Sequence, residues 1–303
     1  LKFTYGANQR ILLALLIFSV PLNIWLVSTQ KPLLFPSAVM IAGFCIYIQQ
    51  KNSFNPFYHT VASLFILYSI ACKYSFIVPG SIMILFGLWC AYKNKNIFPA
   101  ILILIGLSIV TIFPLYIRNL IFYGDPLSPF FEQLKSNPDL YVVNFANMLK
   151  DYGGGVSFKN ILLLPFKLGI TLKPTEISTV LGIGVFGFIL LNRISNPIGK
   201  TMLKISIFVT CGILFAGQIS PRYFMEAYWL LVGAIITIPW NSKIKWFNNV
   251  LLLQACLMAG LSIYGASVLF PGGLTLKKRH DVMSKVAHGY NETKWLDENL
   301  PSD

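Results

Sequence analysis

Four basic residues stand at the ends of apolar runs, where their charge lies close to a membrane: Lys31, Lys73, Arg118 and Arg222. A charge at membrane depth is costly, so such residues are candidates for a functional site. Lysine and arginine bind phosphate oxygens through charge-assisted hydrogen bonds, and they stabilise charge that develops on a leaving phosphate. The four cations therefore predict a shared anionic ligand, a lipid-linked phosphate. The alternative for each residue is a side chain that extends to the lipid headgroups.

The composition of the chain excludes a soluble globule and requires elements that can cross a bilayer. Hydrophobic residues make up 55% of the 303 residues and charged residues 12%, with a mean hydropathy of +0.66. Only helices and closed barrels satisfy their backbone groups in lipid, and runs of roughly 17–25 apolar residues cross as helices. The sequence predicts an all-α polytopic membrane bundle of about nine spans. These lie near residues 11–28, 33–49, 57–72, 76–92, 98–117, 177–192, 201–219, 223–240 and 247–270.

The distribution of charge predicts which face of the bundle is cytoplasmic. Lysine and arginine favour short cytoplasmic loops, and placing Lys93 and Lys95 there puts most of the basic loop residues on the same side. All eleven carboxylates then fall outside or at the outer edge. Of the net charge of +13, +10 then lies on inner loops that meet anionic lipid headgroups, and +3 lies outside. Membrane lipids are expected partners, and nucleic acid is not.

A long outer segment, residues 118–176, separates the fifth and sixth predicted spans. Its part 157–171 predicts a helix lying in the interface, with Lys159 and Lys167 among the headgroups. After the last span, residues 271–303 predict the start of an extracytoplasmic segment that includes a short amphipathic helix. The predicted domains are therefore a transmembrane part, 1–270, and this C-terminal segment.

Two other patterns have simpler explanations than a cofactor or metal site. Gly182-Ile-Gly-Val-Phe-Gly187 matches a dinucleotide-binding pattern, but it lies within a predicted span, where small residues let helices approach closely. The five cysteines and three histidines lack the spacing of a zinc site or a disulfide framework. No cofactor is expected from these patterns.

Four short motifs carry a resemblance to a known family: residues 72–76, 111–130, 221–224 and 294–301. Their order and spacing resemble the later part of bacterial GT-C membrane glycosyltransferases, the group of protein mannosyltransferases and lipid A aminoarabinose transferases. The resemblance implies inverting transfer of a sugar from a polyprenyl-phosphate carrier to a lipid or glycan acceptor. It also implies a bacterial inner membrane, an extracytoplasmic active face, and a divalent metal in some relatives.

The resemblance assigns a carrier-phosphate or donor-sugar contact to particular positions. Lys73 matches the family's Lys-Tyr position, Arg118 its Arg-Asn position, and Arg222 with Tyr223 its Arg-Tyr position. Lys31 matches more loosely, because Leu33 stands where relatives often carry an acid.

The catalytic residue stays unknown from the sequence. The family's general base is an acidic residue in the first outer loop, and this sequence has no aspartate or glutamate before Asp125. The base is therefore expected upstream of Leu1, and a chain without it is inactive. Asp125 belongs to a Gly-Asp-Pro turn where relatives often have Gly-Asn-Pro, so it is interpreted as a turn residue. Glu226 lies four residues after Arg222 and predicts a pair with it on one helix face.

Two alternatives to the transferase remain open at the level of sequence. A polysaccharide polymerase or ligase also combines many spans with outer arginines, but it takes its glycan from a diphosphate carrier. A transporter or flippase of lipid-linked substrates places polar residues near the bilayer midplane and often has paired halves. The predicted span centres carry almost no charge, which favours the transferase over the transporter.

Overall fold

The computed structural model describes residues 6–28, 33–126, 157–171, 179–287 and 289–299, and every regular element among them is helical. In chain order the α-helices are α1 (Ala7–Phe18), α2 (Pro21–Ser28), α3 (Leu34–Gln49), α4 (Pro56–Cys72), α5 (Ile77–Lys93), α6 (Ile97–Thr111), α7 (Phe113–Tyr123), α8 (Phe158–Leu162), α9 (Leu164–Gly169), α10 (Pro197–Phe215), α11 (Met225–Ile235), α12 (Ser242–Leu269), α13 (Leu276–Val286) and α14 (Tyr290–Asn299). Short 3-10 helices cover Gln50–Asn52, Tyr74–Phe76, Pro221–Phe224 and Phe270–Gly273, and a longer one, here named the glycine helix, covers Ile183–Arg193.

The starts of α4 and α10 follow from an Asn-Pro pair at each. The Asn55 side chain accepts a hydrogen bond from the Phe57 amide at 2.9 Å, and Asn196 accepts one from the Ile198 amide at 2.8 Å. A side-chain oxygen at this position satisfies an amide that lacks a partner in the first helical turn. Proline follows each asparagine at the first helical position, where its missing N–H costs nothing. Both helix starts are therefore encoded locally.

Four helical stretches among the described residues are long and apolar enough to cross a membrane, and a bent pair makes a possible fifth. They are Tyr74–Lys93, Ile97–Tyr123, Pro197–Phe215 and Ser242–Gly273, and the pair is α1 with α2. The other predicted spans coincide with α3, α4, the glycine helix and α11, which are shorter. The prediction of an all-helical membrane chain is thus confirmed, whereas the count of about nine spans stays a prediction.

Two interruptions of the predicted spans have visible causes. The first predicted span is two helices, α1 and α2, bent by 63° just before Pro21. A proline inside a helical run removes a backbone hydrogen bond and clashes with the preceding turn. The second interruption is at Lys73, whose backbone is extended (φ −163°, ψ 135°). The chain folds back there into a helical hairpin: α5 packs against α4, and a Cβ placed on Gly80 would collide with the Ile70 side chain.

The predicted interfacial helix is two short helices, α8 and α9, because Pro165 cannot continue the first one. Ser157 caps α8 by accepting a hydrogen bond from the Asn160 amide at 3.2 Å. Phe158 and Leu162 are exposed, whereas Leu164 and Leu168 are buried in the core. The rest of the predicted outer segment, 127–156 and 172–176, lies outside the described residues.

The chain divides into two compact units, residues 1–251 and 252–303. The division falls inside α12 and so differs from the predicted boundary at residue 270, which stays a prediction. The second unit contains α13 and α14, whose residues are mostly exposed, and α14 lies where the amphipathic helix is predicted.

Two helix pairs build the core of the first unit: α3 with α4, and α10 with α11. The α5 helix packs on both pairs, α11 contacts α3, and the glycine helix lies against α11. The spacing of small residues in the glycine helix explains that last contact. A Cβ on Gly184 would collide with Tyr228, and one on Gly187 with Ile235. The interpretation of the Gly-x-Gly-x-x-Gly pattern as a close-packing surface agrees with this geometry.

Candidate functional site

Lys73 stands at the turn between α4 and α5, where its extended backbone ends one helix before the 3-10 helix Tyr74–Phe76 begins. Its side chain is half-buried. The turn packs against α4 and α5, so Lys73 is held on a short, well-supported connection.

A hydrogen bond joins this turn to α7. The Asn119 side-chain amide donates to the Tyr74 hydroxyl at 2.6 Å, and Asn119 is only 1% exposed. The neighbouring Arg118 donates from Nη2 to the Asn119 side-chain oxygen at 3.4 Å. Tyr74 and Asn119 are 45 positions apart in the sequence. Their hydrogen bond therefore brings the segment that carries Lys73 into direct contact with the segment that carries Arg118.

Arg118 lies inside a helix and not at the end of one, which corrects the predicted position. The predicted span ends at residue 117, but α7 continues to Tyr123 and ends where Gly124 adopts a left-handed conformation (φ 68°). Glycine adopts this conformation without steric cost, which is why it commonly ends helices. The charge of Arg118 therefore projects from the second turn of α7, and its side chain is exposed.

A buried carboxyl group lies at the start of α11. Glu226 is 3% exposed, and its side chain accepts a hydrogen bond from the Ser37 hydroxyl of α3. The neighbouring Pro36 carbonyl accepts a 2.8 Å hydrogen bond from Ser69 of α4, four residues before Lys73. A buried polar group needs such a hydrogen bond to compensate its lost hydration. The α3 helix thus connects the start of α11 with the helix that ends just before Lys73.

Arg222 and Tyr223 lie in the 3-10 helix Pro221–Phe224 that leads into α11. The Arg222 guanidinium donates to the Tyr223 hydroxyl at 3.2 Å and lies 5.0 Å from the centre of that ring. The Nε of Arg222 is buried and has no hydrogen-bond partner in the part of the chain that the structure describes. A buried donor without a partner is rare, so Arg222 is suited to donate a hydrogen bond to a ligand oxygen.

The predicted pair between Arg222 and Glu226 is wrong. Arg222 precedes the first residue of α11, and the 3-10 turn changes the spacing that brings residues four apart together in an α-helix. Each side chain has another contact instead: Arg222 with Tyr223, and Glu226 with Ser37.

The structure thus brings together some of the predicted site residues and leaves others apart. The Lys73 turn contacts α7 beside Arg118. Through α3, hydrogen bonds link the helix that ends before Lys73 to Glu226, one helical turn beyond Arg222 and Tyr223. Lys31 lies outside the described residues. Cavities of about 700, 550 and 270 Å³ in the described ranges have other linings. The phosphate-site hypothesis therefore depends on the convergence of these segments and not on a preformed cavity.

Four residues that make these contacts were not predicted as site residues: Ser37, Tyr74, Asn119 and Glu226. Tyr74 and Asn119 directly follow the cations Lys73 and Arg118, so the polar neighbour of each cation was an available signal. Ser37 carries no such signal, because a lone serine in an apolar run usually bonds its own helix backbone. Within the described ranges, no three histidine, cysteine, aspartate or glutamate residues are grouped as metal ligands.

An all-helical chain with four or five apolar helices of membrane-spanning length is characteristic of helical membrane proteins. The chain belongs to the DUF1420 N-terminal domain family, which matches residues 3–283. This description states no reaction. No curated protein and no solved structure matches the chain.

Replacing Tyr74 with phenylalanine tests whether the hydrogen bond to Asn119 holds the two cation-bearing segments together. We expect the thermal stability of the detergent-purified protein to fall by about 1 kcal/mol, the usual net value of one such bond. Tyr116→Phe is the matched control, because Tyr116 lies on the same helix as Asn119 and removal of an ordinary hydroxyl changes stability by less than about 0.5 kcal/mol. Equal stability of the two variants would contradict the proposed connection.

Proposed function

We propose that this chain is part of a membrane glycosyltransferase of the GT-C type, which moves a sugar from a polyprenyl-phosphate carrier to a lipid or glycan acceptor. The observation that carries the proposal is the convergence of three motif segments on one region of the fold. The Lys73 turn, the Arg118 segment and the start of α11 are far apart in the sequence. The Tyr74–Asn119 hydrogen bond joins the first two, and α3 joins the start of α11 to the helix that ends before Lys73 through the Ser37–Glu226 and Ser69–Pro36 hydrogen bonds.

The chemistry of these side chains fits a carrier phosphate. Arg222 offers a buried donor that has no partner among the described residues, and guanidinium binds phosphate oxygens in a planar, two-bonded arrangement. Lys73 and Arg118 add positive charge nearby. When the acceptor oxygen attacks the anomeric carbon, the bond from that carbon to the phosphate oxygen breaks and negative charge develops on the leaving phosphate. Cations fixed beforehand stabilise that charge without reorganising.

The buried Glu226 is suited to hold two helices together more than to act as a base. Its carboxylate is 3% exposed and already accepts the Ser37 hydrogen bond, so an acceptor hydroxyl has little access to it. A general base must come within hydrogen-bond reach of the proton that it takes. The proposal therefore leaves the base unassigned and gives Glu226 the role of joining α11 to α3 through the Ser37 hydroxyl.

The proposal includes a topology of about nine spans, with the cations on the extracytoplasmic face. Helical segments occupy each of the nine predicted positions, which supports this topology, although several are shorter than a span. The basic residues Arg193, Lys200, Lys243 and Lys245 would then lie on the cytoplasmic side.

Binding of polyprenyl monophosphate to the full-length protein in nanodiscs tests the proposal. We expect the monophosphate to bind at least about tenfold more tightly than uncharged polyprenol, because hydrogen bonds to a charged group contribute about 1.5–3 kcal/mol. Equal affinity for both lipids would contradict a phosphate site. A preference for polyprenyl diphosphate would contradict the monophosphate donor and favour a polymerase or ligase.

A further inference from the structure

A second feature of the first unit does not include the predicted phosphate-site residues. It is an apolar groove of about 700 Å³ that is lined by α9, the glycine helix and the first turns of α12. Its walls are phenylalanine, isoleucine and other apolar side chains, and Lys243 is the one charged residue among those that line it. Cavities of about 300–1,000 Å³ with apolar walls and few polar groups are typical ligand sites. The groove takes no part in the proposed sugar transfer.

The lysine stands at one end of this groove. The glycine helix and α11 run in the same direction, because Gly184 lies against Tyr228 and Gly187 lies against Ile235. α12 begins only seven residues after α11 ends. The first residues of α12 therefore lie near the end of the glycine helix that contains Leu190. From Ser242 to Val250, α12 then runs back along the groove for about 12 Å at 1.5 Å per residue. The opposite end is closed by Phe166, whose ring packs edge to face against Phe186 at 5.5 Å.

The polar end of the groove has the side chains of a lipid headgroup site. Ser242 and Lys243 are exposed there, and the Trp246 side chain one turn further is 66% exposed. Lysine and tryptophan together are typical of the level where headgroups meet acyl chains. No carboxylate of the described residues forms an ion pair with Lys243, so its charge is available to an anion. An apolar channel with one cation at its mouth complements an amphiphile with a negative head.

We propose that this groove binds one anionic phospholipid of the surrounding bilayer. Its phosphate contacts Lys243 and Ser242, and one acyl chain lies along α12 and the glycine helix towards Phe166. A phospholipid fits the apolar walls because the groove is open to the side, and the single lysine selects an anionic headgroup over a zwitterionic one.

Native mass spectrometry of the purified full-length protein, with phosphatidylglycerol or phosphatidylcholine of identical acyl chains, tests the headgroup contact. We expect one phosphatidylglycerol to be retained about fivefold more strongly than phosphatidylcholine, the effect of one lysine near an anionic lipid. Lys243→Ala should remove this preference. Lys245→Ala is the matched control, because Lys245 is exposed on the same helix but does not line the groove. Equal retention of both lipids, or an equal loss in both variants, would overturn the proposal.

A photoreactive phosphatidylglycerol with a diazirine in its acyl chain tests the apolar part. We expect its label on residues 183–190 and 246–250. Ile189→Trp should reduce that label severalfold by filling the groove; Ile189 is 65% exposed, so the larger side chain does not disturb the core. Label confined to other parts of the chain, or undiminished label in Ile189→Trp, would overturn the proposal. Displacement of the label by polyprenyl monophosphate, but not by excess phosphatidylglycerol, would assign the groove to the sugar carrier and equally overturn it.

Discussion

Replacing Arg222 with alanine is expected to lower sugar transfer by the full-length protein by about 10²–10³-fold, the usual cost of removing one fixed donor to a developing negative charge. The reason is the geometry of this residue. Its Nε is buried without a partner among the described residues, while the rest of the guanidinium is held by the Tyr223 hydroxyl and ring. Because this donor is already buried and unpaired, it gives up no existing hydrogen bond when it bonds a phosphate oxygen. The measurement is turnover of a polyprenyl-phosphate sugar, with binding of polyprenyl monophosphate measured alongside.

Two further variants separate a phosphate contact from a structural role. Arg222→Lys keeps the charge but not the planar pair of donors, so its transfer rate should lie between those of the wild type and the alanine variant. Arg193→Ala removes an exposed arginine at the end of the glycine helix and should leave transfer unchanged. If Arg222→Ala transfers sugar normally, Arg222 is not part of a phosphate site. If it elutes as an aggregated protein, the lysine variant decides the question.

Replacing Gly184 with leucine is expected to lower the free energy of unfolding by about 3 kcal/mol, at the upper end of the usual cost of overpacking. A Cβ at this position collides with the Tyr228 hydroxyl. That hydroxyl donates a 2.7 Å hydrogen bond to the Leu16 carbonyl, so moving the ring also breaks the connection between α11 and α1. The thermal unfolding midpoint of the detergent-purified protein measures the effect.

Gly106→Leu is the matched control for this prediction. A Cβ on Gly106 has no neighbour within 4 Å, so the same side chain fits there. Leucine is favoured over glycine in a helix interior by somewhat less than about 1 kcal/mol, and the control should be neutral or slightly stabilising. A Gly184→Leu protein as stable as the Gly106→Leu protein would show that the glycine helix does not pack closely on α11.

The sequence predicts where helices occur better than it predicts how long they are. Apolar runs and Asn-Pro starts are local signals, and helical segments are found at each predicted position. The length of each helix depends on residues outside its apolar run. Pro21 divides the first predicted span into two helices. The α7 helix continues beyond the apolar stretch because Arg118 and Asn119 are compatible with helical geometry, and Asn119 is its buried residue. The close packing of the glycine helix against α11 joins residues that are distant in the chain, which no local propensity encodes.

The candidate site was predictable in its cations but not in their partners. Lys73, Arg118 and Arg222 stand out because charge is rare in apolar sequence. Tyr74, Asn119 and Ser37 enter through contacts between helices that are distant in the chain, 189 positions apart for Ser37 and Glu226. The pairing of Arg222 with Glu226 failed because it assumed continuous α-helical spacing across a 3-10 turn.

The first helix, α1, forms hydrogen bonds with residues that lie much later in the chain. Its Leu16 carbonyl accepts from Tyr228, 212 positions away, and the Gln9 side chain donates to the Ile238 carbonyl, 229 positions away. Contacts between residues so far apart cannot form until the second residue of each pair has been synthesised. The hydrogen bonds of α1 to Tyr228 and Ile238 therefore form only after α11 and the residues directly after it have been synthesised.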